Sequence, residues 1–377
     1  MVAISHPHFS TANRFAKIDA TNREICLYKL GKILASLTEI ENASKTVSYR
    51  SPSERGKLTW EEEAMNSSIT TLLMTAAILA AMPAHAEDKP LIGLVSIAAT
   101  EANNVRYING AKKAAEELGY DVSVVDAAGS ADQANAAIQN FAQRGAFAIV
   151  DLVFPASSIG AGLDAAKQAN IPVVTWGGGL GLSVAATNGS GAPIAEPVIK
   201  KMIDDMGGKG ELLALTYRTG EVCRNRETLM DKMLESHADI KVTKNEVRIP
   251  GYFEDGAQYA NAWLASHPPG DEKLAIWGCW DDPAIGAIGS LRSQARDDVM
   301  VYGVNGNAQA IENIKNGHMT ATAWEDSYTE GYNMVKLLAD IKKAGADWKP
   351  QAVEVPAVLI TRDTVEDFLK QHPDAVQ

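Results

Sequence analysis

Two tryptophans, a cysteine and two adjacent aspartates stand within twelve residues, IWGCWDDPAIGA at 276–287, where an apolar run gives way to small residues. Carboxylates accept hydrogen bonds and indole faces cover C–H surface, so such a stretch suits recognition of a small solute rather than bond making. Catalysis needs a nucleophile, a base or a metal. His237, His267, His318 and His372 fall in or beside helices and loops away from strand ends, and no Gly-x-Ser-x-Gly, metal-ligand cluster or phosphate loop occurs. Neither Cys223 nor Cys279 has a histidine placed beside it by the sequence, so no enzyme, cofactor or metal site is expected.

The elements that must position these residues alternate. From Leu91, LIGLVSIA reads as a buried strand; YINGAKKAAEELGY reads as a helix, with Ile108, Ala111, Ala115 and Leu118 on one face and Gly119 as its stop. DVSVVDA, AFAIVDLVF and IPVVTWGGG are the next strands, with ADQANAAIQNFAQRG and SSIGAGLDAAKQAN as helices between them. The theme restarts at ELLALTY and continues through KVTKNEVRI, KLAIWGCW and VMVYGVN, each followed by a helical stretch. Continuous apolar strands alternating with helices imply parallel sheets covered on both faces, here two α/β doubly wound lobes. Ligands of open α/β sheets sit at the carboxyl ends of the strands, so two facing lobes collect those ends in one cleft. Phe154 and Tyr217 end strands and are placed there.

The chain has 377 residues, 46% hydrophobic and 22% charged, room for more than one domain at roughly 150 residues each. Residues 65–86 hold an apolar run from Ile69 to Met82 and then Ala84-His85-Ala86. That is the pattern of a secretory signal cleaved near Ala86, and the run falls short of the roughly 20 apolar residues of a membrane span. Trp60-Glu61-Glu62-Glu63, just upstream, is encoded by a purine-rich tract of the kind that binds a bacterial ribosome, so residues 1–64 are expected to be a disordered upstream extension. Export places the protein in the periplasm, an oxidising compartment in which Cys223 and Cys279 are a candidate disulfide. A net charge of −12, made no less negative by removing residues 1–86, argues against nucleic acid.

INGAKKAAEELGYDVSVVDA, AIQNFAQRGAFAIV, DAAKQANIPVVTW, DDPAIGAIGSL, VMVYGVNG and AIENIKNGHMTATAW follow one another in order and spacing. In this the sequence resembles the periplasmic type I sugar-binding proteins, the ribose-binding kind, from about Leu91 to Ile360. The resemblance implies two lobes, residues 87–187 with 326–355 and residues 188–325 with 356–377. They would be joined by a three-crossing hinge near Thr187-Asn188, Glu325-Asp326 and Val355-Pro356. It implies a monomeric receptor that closes on a small sugar or polyol and delivers it to the membrane permease of an ABC importer. LacI-type repressors share such lobes, and NASKTVSYR at 42–50 superficially resembles their DNA-reading helix. The export-like segment between it and the lobes argues against a repressor-type sensor.

The resemblance also implies ligand contacts. In the first loop, SIAATEANNVRY, Asn103 and Asn104 are candidates for bonds to hydroxyls or, alternatively, for the cap of a helix beginning near Val105. Where many members carry Asp-Arg after the fourth strand, this chain has Trp176-Gly177-Gly178-Gly179, an aromatic face with close backbone approach. Arg226, with Arg224 second, matches an arginine at a helix start that can donate two forked bonds. Trp280 replaces an asparagine; Asp281 is either a hydroxyl acceptor or a cap, with Asp282 better placed to cap ahead of Pro283. Asn305 stands where the family has aspartate, and Glu325 where it has glutamine. Tryptophans beside Asp281 and Glu325 leave a cationic solute as the alternative ligand, opposed by Arg226.

Overall fold

Leu91–Ser96 (β1), Ala148–Leu152 (β3) and Leu274–Gly278 (β8) are buried almost end to end, as a strand must be when helices cover both faces of its sheet. The computed structural model describes residues 89–376 except 182, 190, 354 and 355. The expected signal and the extension before it lie outside the described residues, as does Val355 at the third expected crossing.

The first sheet also contains Asp121–Asp126 (β2), Val173–Trp176 (β4), Val184–Asn188 (β5) and the two-residue Gln351–Ala352 (β11), in the order β11-β5-β4-β3-β1-β2. The second contains Lys209–Thr216 (β6), Asp239–Glu246 (β7), Val299–Asn305 (β9), Ala321–Trp324 (β10) and Val358–Thr361 (β12), in the order β12-β10-β9-β8-β6-β7. Apart from edge strand β12, every strand pair is parallel. β12 runs antiparallel to β10, with Val358 opposite Trp324. The purely parallel expectation misses it because the chain re-enters this lobe from the hinge side, at the carboxyl end of β10, and can only run back along it.

The helices of the first lobe are Ala102–Leu118 (α1), Ala131–Gln143 (α2), Gly160–Gln168 (α3) and, after the second crossing, Ser327–Ala344 (α9). Those of the second are Ala192–Met206 (α4), Glu221–Leu234 (α5), Tyr252–Leu264 (α6), Asp281–Ser293 (α7), Ala308–Lys315 (α8) and Val365–Gln371 (α10). α1 starts ahead of the expected Val105. Its cap is neither asparagine but Glu101, whose side chain accepts from the Asn104 N–H at 2.8 Å, and Gly119 ends it at φ 74°.

α1 and α9 pack with almost no gap. A Cβ on Gly110 would strike the Tyr328 carbonyl, and one on Gly331 the Tyr107 carbonyl. Backbone cannot yield as a flexible side chain can, so Gly331→Ala is expected to destabilise the first lobe by about 2 kcal/mol. A urea-unfolding midpoint unchanged from the parent protein would contradict this packing.

Candidate functional site

The strand ends of both sheets meet at an interlobe cavity, the place where open α/β sheets hold their ligands. Ile97, Glu101, Asn104, Val153 and Trp176 line it from the first lobe. Tyr217, Val222, Arg226, Ile249, Trp280 and Asn305 line it from the second. The lobes touch across it, for a Cβ on Gly177 would collide with Val222 and one on Gly129 with the Ile249 carbonyl. The cleft is therefore in its closed form.

Each polar or aromatic wall is held from behind. Trp176 donates its indole N–H to Glu330 at 2.8 Å and lies 5.1 Å from the Tyr107 ring, so its face cannot turn. Trp280 occupies the extended position before α7, with Tyr252 and Tyr217 meeting it edge-on at 5.5 and 6.1 Å. The Arg226 guanidinium donates to the Cys279 carbonyl at 2.7 Å and to the Gly191 carbonyl at 3.4 Å. Asn305 sits at φ 109°, a conformation rare outside glycine that persists only where surrounding structure enforces it. Three buried polar atoms of the cavity residues, Glu101 Oε1, Asn305 Oδ1 and the Trp280 indole nitrogen, have no hydrogen-bond partner among the described residues.

The crossings carry a second polar network. Asn103 donates to Glu325 at 2.9 Å and accepts from Ser327 at 2.7 Å, while Arg226 approaches Glu325 at 3.6 Å from the other lobe. Glu330 accepts from Trp176 and from the Gly189 N–H, and its carbonyl takes the Asn188 amide at 3.0 Å. Glu325 thus ties an asparagine of one lobe to an arginine of the other, which is a closure contact.

Burial sets the electrostatics. It pushes the Glu101 carboxyl up to about 8, helped by Asp282 across the cleft. It raises Asp281 to about 8 and Asp282 to about 6. Glu330 lies well above the usual carboxylate range through burial and then the nearby Glu325. Stripping water from a carboxylate disfavours the charged form, and one arginine cannot offset so many acids. Near neutral pH this site is therefore less negative than its composition suggests.

Cys223 on α5 and Cys279, just past β8, are disulfide-bonded, with Cα atoms 5.3 Å apart and a sequence separation of 56. Closing a loop of that length restricts the unfolded chain, so reduction is expected to lower stability by about 2–4 kcal/mol. Dithiothreitol should lower the midpoint of thermal unfolding. An unchanged midpoint, with both thiols found alkylated without prior reduction, would show that the bond does not form.

Of the residues singled out in the sequence, the structure brings Asn104, Trp176, Tyr217, Arg226, Trp280 and Asn305 to the cavity. Five others do not line it. Asn103 and Glu325 are committed to the hinge. Phe154, fully buried, belongs to the core. Arg224 turns outward to Glu221 and the Arg218 carbonyl. Asp281 is fully buried and neither caps α7 nor faces a ligand: its oxygens accept from the Asn307 N–H at 2.8 Å and Thr322 at 2.6 Å. Asp282 makes no cap either, accepting from the Asn307 amide at 2.7 Å. Glu101, overlooked beside two asparagines, reaches the cavity, and the only sequence signal for it was its place in the first strand-to-helix loop.

A family model described as a periplasmic binding protein domain matches residues 92–346. The chain is 26% identical over 261 residues to the ribose import binding protein of Escherichia coli, covering 67% of this chain and 85% of that protein. It is 27% identical over 239 residues to the xylitol-binding protein of Mycolicibacterium smegmatis, covering 61% and 65% respectively. In fold it is similar to an ABC transporter solute-binding protein from Agrobacterium vitis with bound allitol, at TM-score 0.70 and 22% identity over 75% of this chain and 99% of that one.

Proposed function

We propose that this chain, which belongs to the periplasmic binding protein domain family, captures a small sugar or polyol between its lobes and hands it to the membrane permease of an ABC importer. The observation that carries the reading is the closed cavity at the strand ends, walled by Trp176 and Trp280, with Glu101 Oε1 and Asn305 Oδ1 as buried oxygens without a partner among the described residues. Buried polar oxygens need partners, which ligand hydroxyls supply as donors or acceptors, and indole faces cover the C–H side of the same molecule. The ribose, xylitol and allitol in the names of the similar proteins support it. The protein acts by binding rather than by turnover, as an exported monomer of the periplasm, with the signal removed near Ala86.

The mechanism follows from where the groups reside. Glu101 and Trp176 belong to one lobe, Arg226, Trp280 and Asn305 to the other, so only a closed protein offers all of them. A ligand that bridges them stabilises the closed form by its differential affinity for it, and the permease reads the outer surface that closure creates. A cationic solute is the second reading, favoured by Tyr217 and Tyr252 packed edge-on around Trp280 near the Glu101 carboxyl.

Tryptophan-fluorescence titration of the purified protein with sugars, polyols and quaternary amines separates the two. The expected result is saturable quenching by a sugar or polyol. A response to amines alone would overturn the proposal.

A further inference from the structure

We infer that the solute this cavity takes is amphipathic: a deoxy or alkyl-bearing sugar or sugar alcohol that sets hydroxyls against Glu101 and Asn305 and turns a hydrocarbon face to the aliphatic wall. The inference rests on the capture reading above and narrows it.

The polar groups around the cleft are numerous, but most of their bonding capacity is used inside the protein. Asn103 is bonded at both ends, to Glu325 and Ser327. Both Asp281 oxygens are taken, and Asn104 gives its amide to the Ala98 carbonyl at 2.7 Å. Trp176 gives its indole N–H to Glu330, so it meets the cavity as hydrocarbon and π surface. Among the described residues, the cavity-lining buried atoms left without a protein partner are Glu101 Oε1 from one lobe and Asn305 Oδ1 and the Trp280 indole N–H from the other. Ile97, Val153, Val222 and Ile249 make a broad aliphatic part of the wall beside Tyr217 and Arg226, and their side chains neither donate nor accept a hydrogen bond.

A fully hydroxylated sugar would press some of its hydroxyls against that aliphatic wall. Each would lose water and gain no partner, the expensive half of a hydrogen-bond exchange. Deleting such a hydroxyl removes the penalty and leaves a methyl or methylene group that the wall accommodates. Discrimination of this kind favours the ligand that lacks the group, the opposite of a site built to bond every hydroxyl.

Calorimetric titration of the purified protein with matched pairs tests this: xylitol against 1-deoxyxylitol, L-galactose against L-fucose, L-mannose against L-rhamnose. In the pairs that bind, the deoxy member is expected to bind about 10-fold tighter. A parent that binds as tightly as its deoxy partner, or within about threefold of it, overturns the inference and leaves the capture reading standing. No binding by any pair or by a wider panel of sugars and polyols overturns that reading, and this inference with it. Val222→Thr, nearly isosteric, adds a hydroxyl to the wall and should shift the ratio toward the parent. An unchanged ratio would overturn the assignment of the wall.

Discussion

Arg226→Ala is expected to lower the unfolding free energy by about 3–5 kcal/mol, as removal of one member of a buried charge pair does, and to weaken solute binding on the order of 100-fold. The guanidinium is 1% exposed and joins four places: helix α5, the Cys279 carbonyl, the Gly191 carbonyl and the hinge carboxylate Glu325. Without it Glu325, itself 1% exposed, keeps its burial but loses the guanidinium that faces it. Glu325→Gln added to Arg226→Ala should restore part of the stability, because a neutral amide tolerates burial better than a carboxylate. It should restore none of the affinity, because the side chain that lines the cavity and ties it to the hinge is still missing. Urea unfolding and calorimetric titration of both variants check this. Equal stability of the single and double variants would show that the charge pair is not what the hinge depends on.

The second large effect is on pH. Glu101 and Asp281 are held at about 8 against ordinary values of 4.5 and 3.8, and Asp282 at about 6 against 3.8, in each case first by burial. Glu330 and Asp151 shift the same way for the same reason. A carboxyl whose folded value is raised keeps its proton in the folded protein while the unfolded chain has released it. Folding therefore takes up protons, and stability is full below the unfolded values and lost as pH rises through the folded ones. Each group that is protonated only in the folded protein removes about 1.4 kcal/mol per pH unit. The window opens near pH 4 and runs to about 8. Carboxyls held below their ordinary values by partners, such as Asp255 and Asp298, act outside it, under more acid conditions. The thermal midpoint should fall by many degrees between pH 5 and pH 8, and Glu101→Gln should flatten that slope, since a glutamine stands in for the protonated acid at every pH. A midpoint that rises over this range would contradict the buried, proton-holding cleft.

How much of this was legible depended on how local the cause was. The runs at β1, β3 and β8 are apolar throughout, and that pattern has one stable use, a strand covered on both faces. The two-lobe plan therefore follows, and with it a cleft at the strand ends; it is the resemblance in register that points to Trp176, Arg226, Trp280 and Asn305 there. Side-chain direction was less accessible. Arg224 and Arg226 are two positions apart, about 200° around a helix, so only one of them could face the cleft, and a resemblance in register could only rank them. Asp281 lies at the mouth of a strand-to-helix turn, yet its oxygens go to Asn307 and Thr322, residues 26 and 41 positions away, a pairing no local pattern announces. The same holds for Asn103, which answers to Glu325 across 222 residues. Glu101 was missed because a carboxylate at a helix start has an ordinary use as a cap. It does cap, through Oε2, and only burial of Oε1 beside the cavity shows its other role.

A sugar or polyol held in the cavity bridges the two lobes, with Glu101 and Trp176 on one side and Arg226, Trp280 and Asn305 on the other. Hydrogen exchange of the purified protein, followed by mass spectrometry with and without the tightest-binding polyol of the panel, tests it directly. The expected result is simultaneous protection of the first strand-to-helix loop, the start of α5 and the start of α7. Protection confined to one lobe, or no protection by any sugar or polyol, would contradict it.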